Sequence, residues 1–252
     1  MRRNPIRERW AQGKPASNLW IDIGWPVTVE ALGRLAYDSY TVDLQHSLID
    51  RSVLVSLLQA LSLGSGAPMV RVTQNDPGEI AFVLDAGAYG VICPTIETAE
   101  QCRAFVAACE YPPRGVRSWG PTRGVMYAGA DYFDNYRNEI LTIALVETAE
   151  GIRNLDAIAA VPGLDMLYLG PNDLGVSHGG KPSYTPNHPE VERAMDLVVA
   201  AARRNSIAAG MHTASKEVAL AAKAKGYNLL SLGYASKIMA AAAAQVLKDA
   251  FD

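Results

Sequence analysis

From Leu19 to the end of the chain, short apolar runs alternate with longer amphipathic or alanine-rich runs. Parallel strands joined by helices produce this rhythm, because a strand covered on both faces reads as an unbroken apolar stretch. The runs predict strands over residues 19–24, 40–44, 69–72, 90–93, 143–147, 166–170, 207–211 and 229–232, each followed by a helix-like segment. Asp50, Thr98 and Ser236 stand before helical runs at 51–63, 99–110 and 238–251, where a short polar side chain can accept from free backbone N–H groups. Eight strand–helix pairs predict a single-domain α/β protein, a (β/α)8 TIM barrel over residues 1–252, and that length is what one barrel needs. Two stretches, 111–138 and 171–189, break the rhythm with Gly, Pro, Asn and aromatic residues; they are expected to be irregular and, being long, functional. The alanine run at 240–244 predicts a helix packed closely on a neighbour.

Composition narrows the class. Hydrophobic residues make up 49% and charged residues 19% of the chain, with a formal net charge of −3, which argues against a disordered chain and against a nucleic-acid partner. Cys93, Cys102 and Cys109 are odd in number and lack CxxC spacing, so they are expected to be small buried hydrophobes in a reducing compartment. No apolar core of signal-peptide length follows the basic segment MRRNPIRERW, and no apolar run approaches the ~18 residues of a membrane span. A cytoplasmic protein without a membrane segment is expected.

In a barrel of this kind the site collects at the carboxyl ends of the strands, so the polar residues that end the apolar runs carry the chemistry. These are Asp43 and His46 after strand two, Arg71 in strand three, Glu147 after strand five, the segment Gly170, Pro171, Asn172 and Asp173 after strand six, and His212 after strand seven. Glu147 and Asp173 offer two hard oxygen ligands from neighbouring strands, a set suited to Mg²⁺ or Mn²⁺, with Co²⁺ as a further candidate. Read more plainly, Glu147 is an acid meeting solvent at a strand end and Asp173 is a turn or cap residue. Arg71 within an apolar strand requires an anion, either a ligand or a structural acid elsewhere in the barrel. His46 is placed for proton transfer near neutral pH, or is an ordinary loop histidine. Backbone N–H groups at 170–173 could hold a carboxylate. The clusters Gly64-Ser65-Gly66 and Gly179-Gly180 match no nucleotide fingerprint.

Together, Asp43-Leu-Gln-His46, Arg71-Val, Leu84-Asp85-Ala-Gly87-Ala-Tyr-Gly90, Val146-Glu147-Thr-Ala-Glu-Gly151 and Gly170-Pro-Asn-Asp173-Leu resemble the HpcH/HpaI aldolase/citrate lyase family of metal-dependent class II pyruvate aldolases. The resemblance implies that Glu147 and Asp173 ligate the metal, that Arg71 meets the keto or enolate oxygen, and that His46 is the base, held or polarised by Asp43 and Asp85. It also implies that Gly170 to Asp173 bind the substrate carboxylate, that Trp20 lines the pocket, and that the chain forms a homo-oligomer. That assembly would be a hexamer, a trimer of dimers, or at least a dimer exchanging its C-terminal helix. Three departures from the family pattern stand out. Leu145 replaces a common Gln, Trp119 and Pro121 bring bulk to the loop 117–123, and His212 stands where an apolar residue is common, so Trp119 and His212 are expected to reshape the substrate pocket.

The expected reaction is reversible cleavage of a 4-hydroxy-2-oxo acid to pyruvate, or an analogue such as hydroxypyruvate, and an aldehyde. A Schiff-base route is disfavoured because none of Lys14, Lys181, Lys216, Lys223, Lys225, Lys237 and Lys248 falls within a predicted strand. The alternatives are oxaloacetate decarboxylation, a citrate-lyase-like acyl-CoA lyase step on the same barrel, and a non-catalytic barrel that binds a 2-oxo acid.

Overall fold

The computed structural model describes residues 1–183, 186 and 188–251. The chain opens with α1 (Pro5–Ala11) and then winds through β1 (Ala16–Ile21), α2 (Pro26–Gly33), β2 (Ser39–Asp43), α3 (Arg51–Leu61), β3 (Ala67–Arg71), α4 (Pro77–Asp85) and β4 (Gly90–Cys93). After β4 come α5 (Ala99–Cys109), α6 (Thr122–Ala128), α7 (Tyr132–Glu139), β5 (Leu141–Val146), α8 (Ala149–Arg153), α9 (Leu155–Ala159) and β6 (Met166–Leu169). The last elements are α10 (Pro171–Ser177), α11 (Pro189–Arg204), β7 (Ala208–Thr213), α12 (Lys216–Lys225), β8 (Leu229–Tyr234) and α13 (Ala235–Phe251). The eight strands close in chain order into a parallel barrel, β8 pairing back onto β1.

The strands fall where unbroken apolar runs placed them, since each is covered inside by barrel side chains and outside by helices; every residue of β5 is buried, for example. The interior is tightly filled. A side chain at Gly210 would approach Tyr168 Cδ2 to 2.5 Å, so the bare glycine makes room for that ring inside the barrel. Helix starts obey capping chemistry: Asp50 accepts from the N–H groups of Ser52 and Val53, and Thr98 and Gln101 form a reciprocal capping box.

Several expectations are corrected. Ser236 is not a cap, because α13 follows β8 directly at Ala235; the Ser236 N–H and hydroxyl both donate to Asp22, tying the helix to the end of β1. The stretch 111–138 is largely helical, holding α6 and α7, and 171–189 opens with α10, although positions 184, 185 and 187 lie outside the described residues. The alanine-rich α13 meets β1 and β8 at its start, and beyond Ser236 its described residues are exposed, including Ile238, Met239, Val246, Leu247 and Phe251. The three cysteines are free and buried, and burial pushes the Cys102 thiol up to about 12. No helix among the described residues is long and apolar enough to cross a membrane.

Helix α1, absent from the expected pattern, seals the amino-terminal end of the barrel. Its side chains bond to residues that immediately precede strands: Asn4 Nδ2 donates to the Tyr89 carbonyl at 3.3 Å, Arg7 to the Ile140 carbonyl at 2.9 Å and the Asp165 carboxylate at 2.8 Å, and Trp10 Nε1 to the Asn228 carbonyl at 2.9 Å. Ile6 is fully buried in the core. Ile6→Ala is expected to cost about 2–5 kcal/mol and to lower the thermal midpoint by roughly 5–15 °C, measured by calorimetry, because a cavity opens far from the carboxyl-end pocket.

Candidate active site

At the open, carboxyl-terminal end lies a cavity of about 360 Å³. Trp20, His46, Arg71, Glu147, His212 and the segment from Gly170 to Asp173 line it, so most residues read from strand ends do converge. Asp22, Leu145, Tyr168, Pro182, Tyr234 and Lys237 complete the wall.

Arg71 and Asp43 are partners in register on β3 and β2, and their side chains meet in a forked ion pair, Nε to Oδ1 at 2.9 Å and Nη2 to Oδ2 at 2.5 Å. Arg71 is only 4% exposed. Burial works against its charge, but the hydrogen bonds and charge of Asp43 outweigh burial and raise the guanidinium further. Asp43 Oδ1 also accepts the backbone N–H groups of Gln45 and His46, at 3.0 and 3.3 Å, so it fixes the turn that carries His46. On the other side, the Arg71 guanidinium stacks 4.5 Å from the centroid of Trp20, whose indole N–H donates to Ser231 Oγ at 2.5 Å. Thus the structural-acid reading of Arg71 holds, the acid being Asp43, and its side chain also lines the cavity.

Glu147 follows β5 and is 4% exposed. Its Oε1 accepts from the backbone N–H of Thr95 at 3.0 Å and from the Thr95 hydroxyl at 3.2 Å. Thr95 adopts φ +53°, a left-handed conformation that a β-branched residue rarely takes and that costs on the order of 1–3 kcal/mol. Next to Glu147, Gly170 is required: a Cβ there would lie 2.6 Å from Glu147 Oε2. Burial, and then the charge of Asp173, raise the Glu147 carboxyl to about 7, while Arg71 and Thr95 oppose the shift. Two acids that repel, Glu147 buried and Asp173 exposed on the cavity wall, are a donor set for a hard divalent cation, which would relieve that repulsion. Among the described residues no cluster of three or more His, Cys, Asp or Glu is placed to hold a metal ion.

His212 is 7% exposed and its Nε2 is buried without a partner among the described residues. Its ring meets Trp20 edge-on at 5.1 Å and Tyr234 at 4.8 Å. Burial, then the charge of Arg71, push the imidazole down to about 3, so it is neutral at physiological pH. Asn172 Oδ1 is likewise buried and unpartnered.

Two expected residues do not reach the pocket within one chain. Asp85 ends α4 just before β4, which puts it at the opposite end of the barrel, where it pairs with Arg117 Nη2 at 2.7 Å. Trp119 is 56% exposed and packs with Tyr111 and Phe133 at 5.3 Å each, among the helices that fill the stretch once expected to be irregular. Conversely, Asp22, Tyr234 and Lys237 were missed, although Asp22 and Tyr234 end β1 and β8 and the strand-end rule could have found them. Thr95 had no sequence signal, since its role rests on an unusual φ. Lys237 is exposed and stands 5.2 Å over the Tyr234 ring, unlike the desolvated amine a Schiff base needs.

A closed parallel barrel with a buried arginine, an opposed acid pair and a histidine at the mouth defines a barrel enzyme built to stabilise negative charge. A model of the HpcH/HpaI aldolase/citrate lyase family matches residues 16–242, and the chain belongs to that family. It is 35% identical over 247 residues, 98% of each chain, to the hydroxypyruvate/pyruvate aldolase of Rhizorhabdus wittichii. Against the 5-keto-4-deoxy-D-glucarate aldolase of Klebsiella pneumoniae identity is 36% over 196 residues, 76% of this chain and 75% of that one. The crystal structure of an HpcH/HpaI aldolase/citrate lyase family protein from Burkholderia cenocepacia superposes with TM-score 0.91 at 29% identity, covering 99% of this chain and 100% of that one. The chain is accordingly a lyase of the aldolase kind.

Two measurements follow. In chelator, the raised Glu147 contributes stability that is complete below about pH 4.5 and is lost as pH rises through about 7. Glu147→Gln should therefore be more stable than the parent at pH 8 by on the order of 3 kcal/mol, and equal to it near pH 4, by chemical denaturation. Thr95→Val, which removes the hydroxyl that helps aim Glu147, should weaken Mn²⁺ binding roughly tenfold by titration calorimetry, with Thr95→Ser close to the parent.

Proposed function

We propose that the chain is a divalent-metal-dependent class II aldolase that reversibly cleaves 4-hydroxy-2-oxo acids to pyruvate, or an analogue such as hydroxypyruvate, and an aldehyde. The observation that carries this reading is the acid pair Glu147 and Asp173, at the ends of neighbouring strands and beside Arg71. Relatives named for hydroxypyruvate, pyruvate and 5-keto-4-deoxy-D-glucarate support the donor class. Glu147 and Asp173 would hold Mg²⁺ or Mn²⁺, with Co²⁺ a third candidate; when bound, the cation supplies Lewis-acid polarisation of the 2-oxo acid.

The protein's own groups do the rest. Backbone N–H groups of Asn172 and Asp173, in the first turn of α10, receive the donor carboxylate. Arg71, locked by Asp43 and Trp20, stabilises negative charge on the keto oxygen without having to move as that charge develops. His46, exposed at the mouth on a turn fixed by Asp43, takes the proton from the donor carbon and returns it when the reaction runs toward cleavage. The deprotonated carbon attacks the aldehyde carbonyl carbon, the C=O π bond opens, and the new alkoxide oxygen takes up the proton that His46 carries, directly or through a water. Asp85 can assist His46 only from another copy, and the bare apolar face of α13 supports such an assembly, a homohexamer or trimer of dimers with the terminal helix packed on a neighbour. Three free buried thiols support a cytoplasmic location.

Pyruvate methyl protons should exchange into heavy water only with Mg²⁺ or Mn²⁺ present. Glu147→Ala should reduce both that exchange and aldehyde-dependent pyruvate consumption at least ~10³-fold while circular dichroism remains native. Full Glu147→Ala activity in chelator would overturn the reading. Turnover confined to oxaloacetate or to a CoA ester would instead assign the pocket to decarboxylation or to an acyl-CoA lyase step.

A further inference from the structure

We propose that His212 is the side chain by which this pocket recognises a hydroxyl on the carbon next to the donor's keto group, so that a 3-hydroxy-2-oxo acid such as hydroxypyruvate is preferred over pyruvate. The inference rests on the aldolase reading above and adds a substrate preference to it.

His212 Nε2 is buried and no described protein atom satisfies it, although nearly every buried polar nitrogen in a folded protein has a partner. The ring packs edge-on against Trp20 and tilted against Tyr234, with the charges of Arg71, Asp43 and Lys237 near enough to act on it. A neutral imidazole in this setting serves as a hydrogen-bonding group and not as a proton carrier. An alcohol suits it whichever ring nitrogen bears the hydrogen, because a hydroxyl both donates and accepts. A methyl group satisfies neither arrangement and would leave the nitrogen unpaired.

Depth in the pocket decides which substrate hydroxyl is read. His212 and Arg71 lie equally deep, 7% and 4% exposed, and both lean on the same indole, at 5.1 Å and 4.5 Å from its centroid. The pocket's exposed members, His46, Asp173, Pro182 and Lys237, mark the mouth, through which the aldehyde enters. Arg71 serves the keto oxygen, and the adjoining carbon is one bond from the carbonyl carbon. A side chain sharing the Trp20 wall with Arg71 therefore meets substituents of that carbon before it meets the remote atoms of the aldehyde. The residue occupies β7 in register with Ser231, whose hydroxyl receives the Trp20 indole N–H, so strand pairing holds the whole wall.

The test compares kcat/KM for hydroxypyruvate and for pyruvate with one aldehyde and saturating Mg²⁺, in the parent, in His212→Phe, which keeps a flat ring on Trp20, and in His212→Gln, which keeps a hydrogen-bonding group. The hydroxypyruvate-to-pyruvate ratio should fall about tenfold in His212→Phe and stay within a few-fold in His212→Gln. With ¹⁵N-histidine labelling of the parent, in which four histidines are to be assigned, the His212 Nε2 resonance should move on adding hydroxypyruvate and not on adding pyruvate. This signal does not depend on either variant folding. A ratio in His212→Phe within twofold of the parent, or an Nε2 resonance indifferent to hydroxypyruvate, would overturn the assignment while leaving the aldolase reading intact. Failure of the parent to turn over either donor would overturn the aldolase reading, and this inference with it.

Discussion

The buried ion pair of Arg71 and Asp43 is the interaction on which the site depends. A guanidinium in an apolar strand is tolerable only with its donors met, and Asp43 meets two of them in fork geometry from the adjacent strand. The same carboxylate accepts the backbone of the turn after β2, and the same guanidinium stacks on Trp20. One pair therefore fixes a positive charge, an aromatic wall and the turn that carries a histidine. It also moderates the repulsion at Glu147, lowering a carboxyl that burial and Asp173 raise.

The acid pair has the opposite character. Arg71 and Asp43 satisfy each other, whereas Glu147 and Asp173 do not, and the surrounding structure holds Glu147 in place at a cost. Thr95 accepts a left-handed backbone to present two donors to Glu147, and Gly170 gives up a side chain so that the carboxylate fits. Unfavourable local geometry is thus concentrated around one buried carboxylate, the place from which the proposed metal site is argued.

The barrel was legible in the sequence because two-sided burial writes each strand as an apolar run, and strand order then follows from the rule that consecutive parallel strands neighbour one another. Arg71, Glu147, Asp173 and His212 were legible for the same reason: a polar residue closing such a run must face the carboxyl end of the barrel. What stayed hidden lacked that signal. Helix α1 precedes the rhythm and is held largely by side-chain bonds to strand-entry carbonyls, which leave no periodic trace. Helices α6 and α7 were masked by the glycines and aromatics around them. Asp85 was grouped with the site through a family motif and Trp119 through a departure from the family pattern, and neither residue closes a strand.

The filled interior of the barrel has a kinetic meaning. Because side chains pack through its centre, the pocket is reached from its carboxyl-end mouth, through which both reactants enter and both products leave. On the proposed chemistry the keto acid occupies the innermost position, so it must arrive before the aldehyde and depart after it. Sequential, ordered traffic is thus a property of the architecture, set by the packed layers of side chains beneath the reacting atoms.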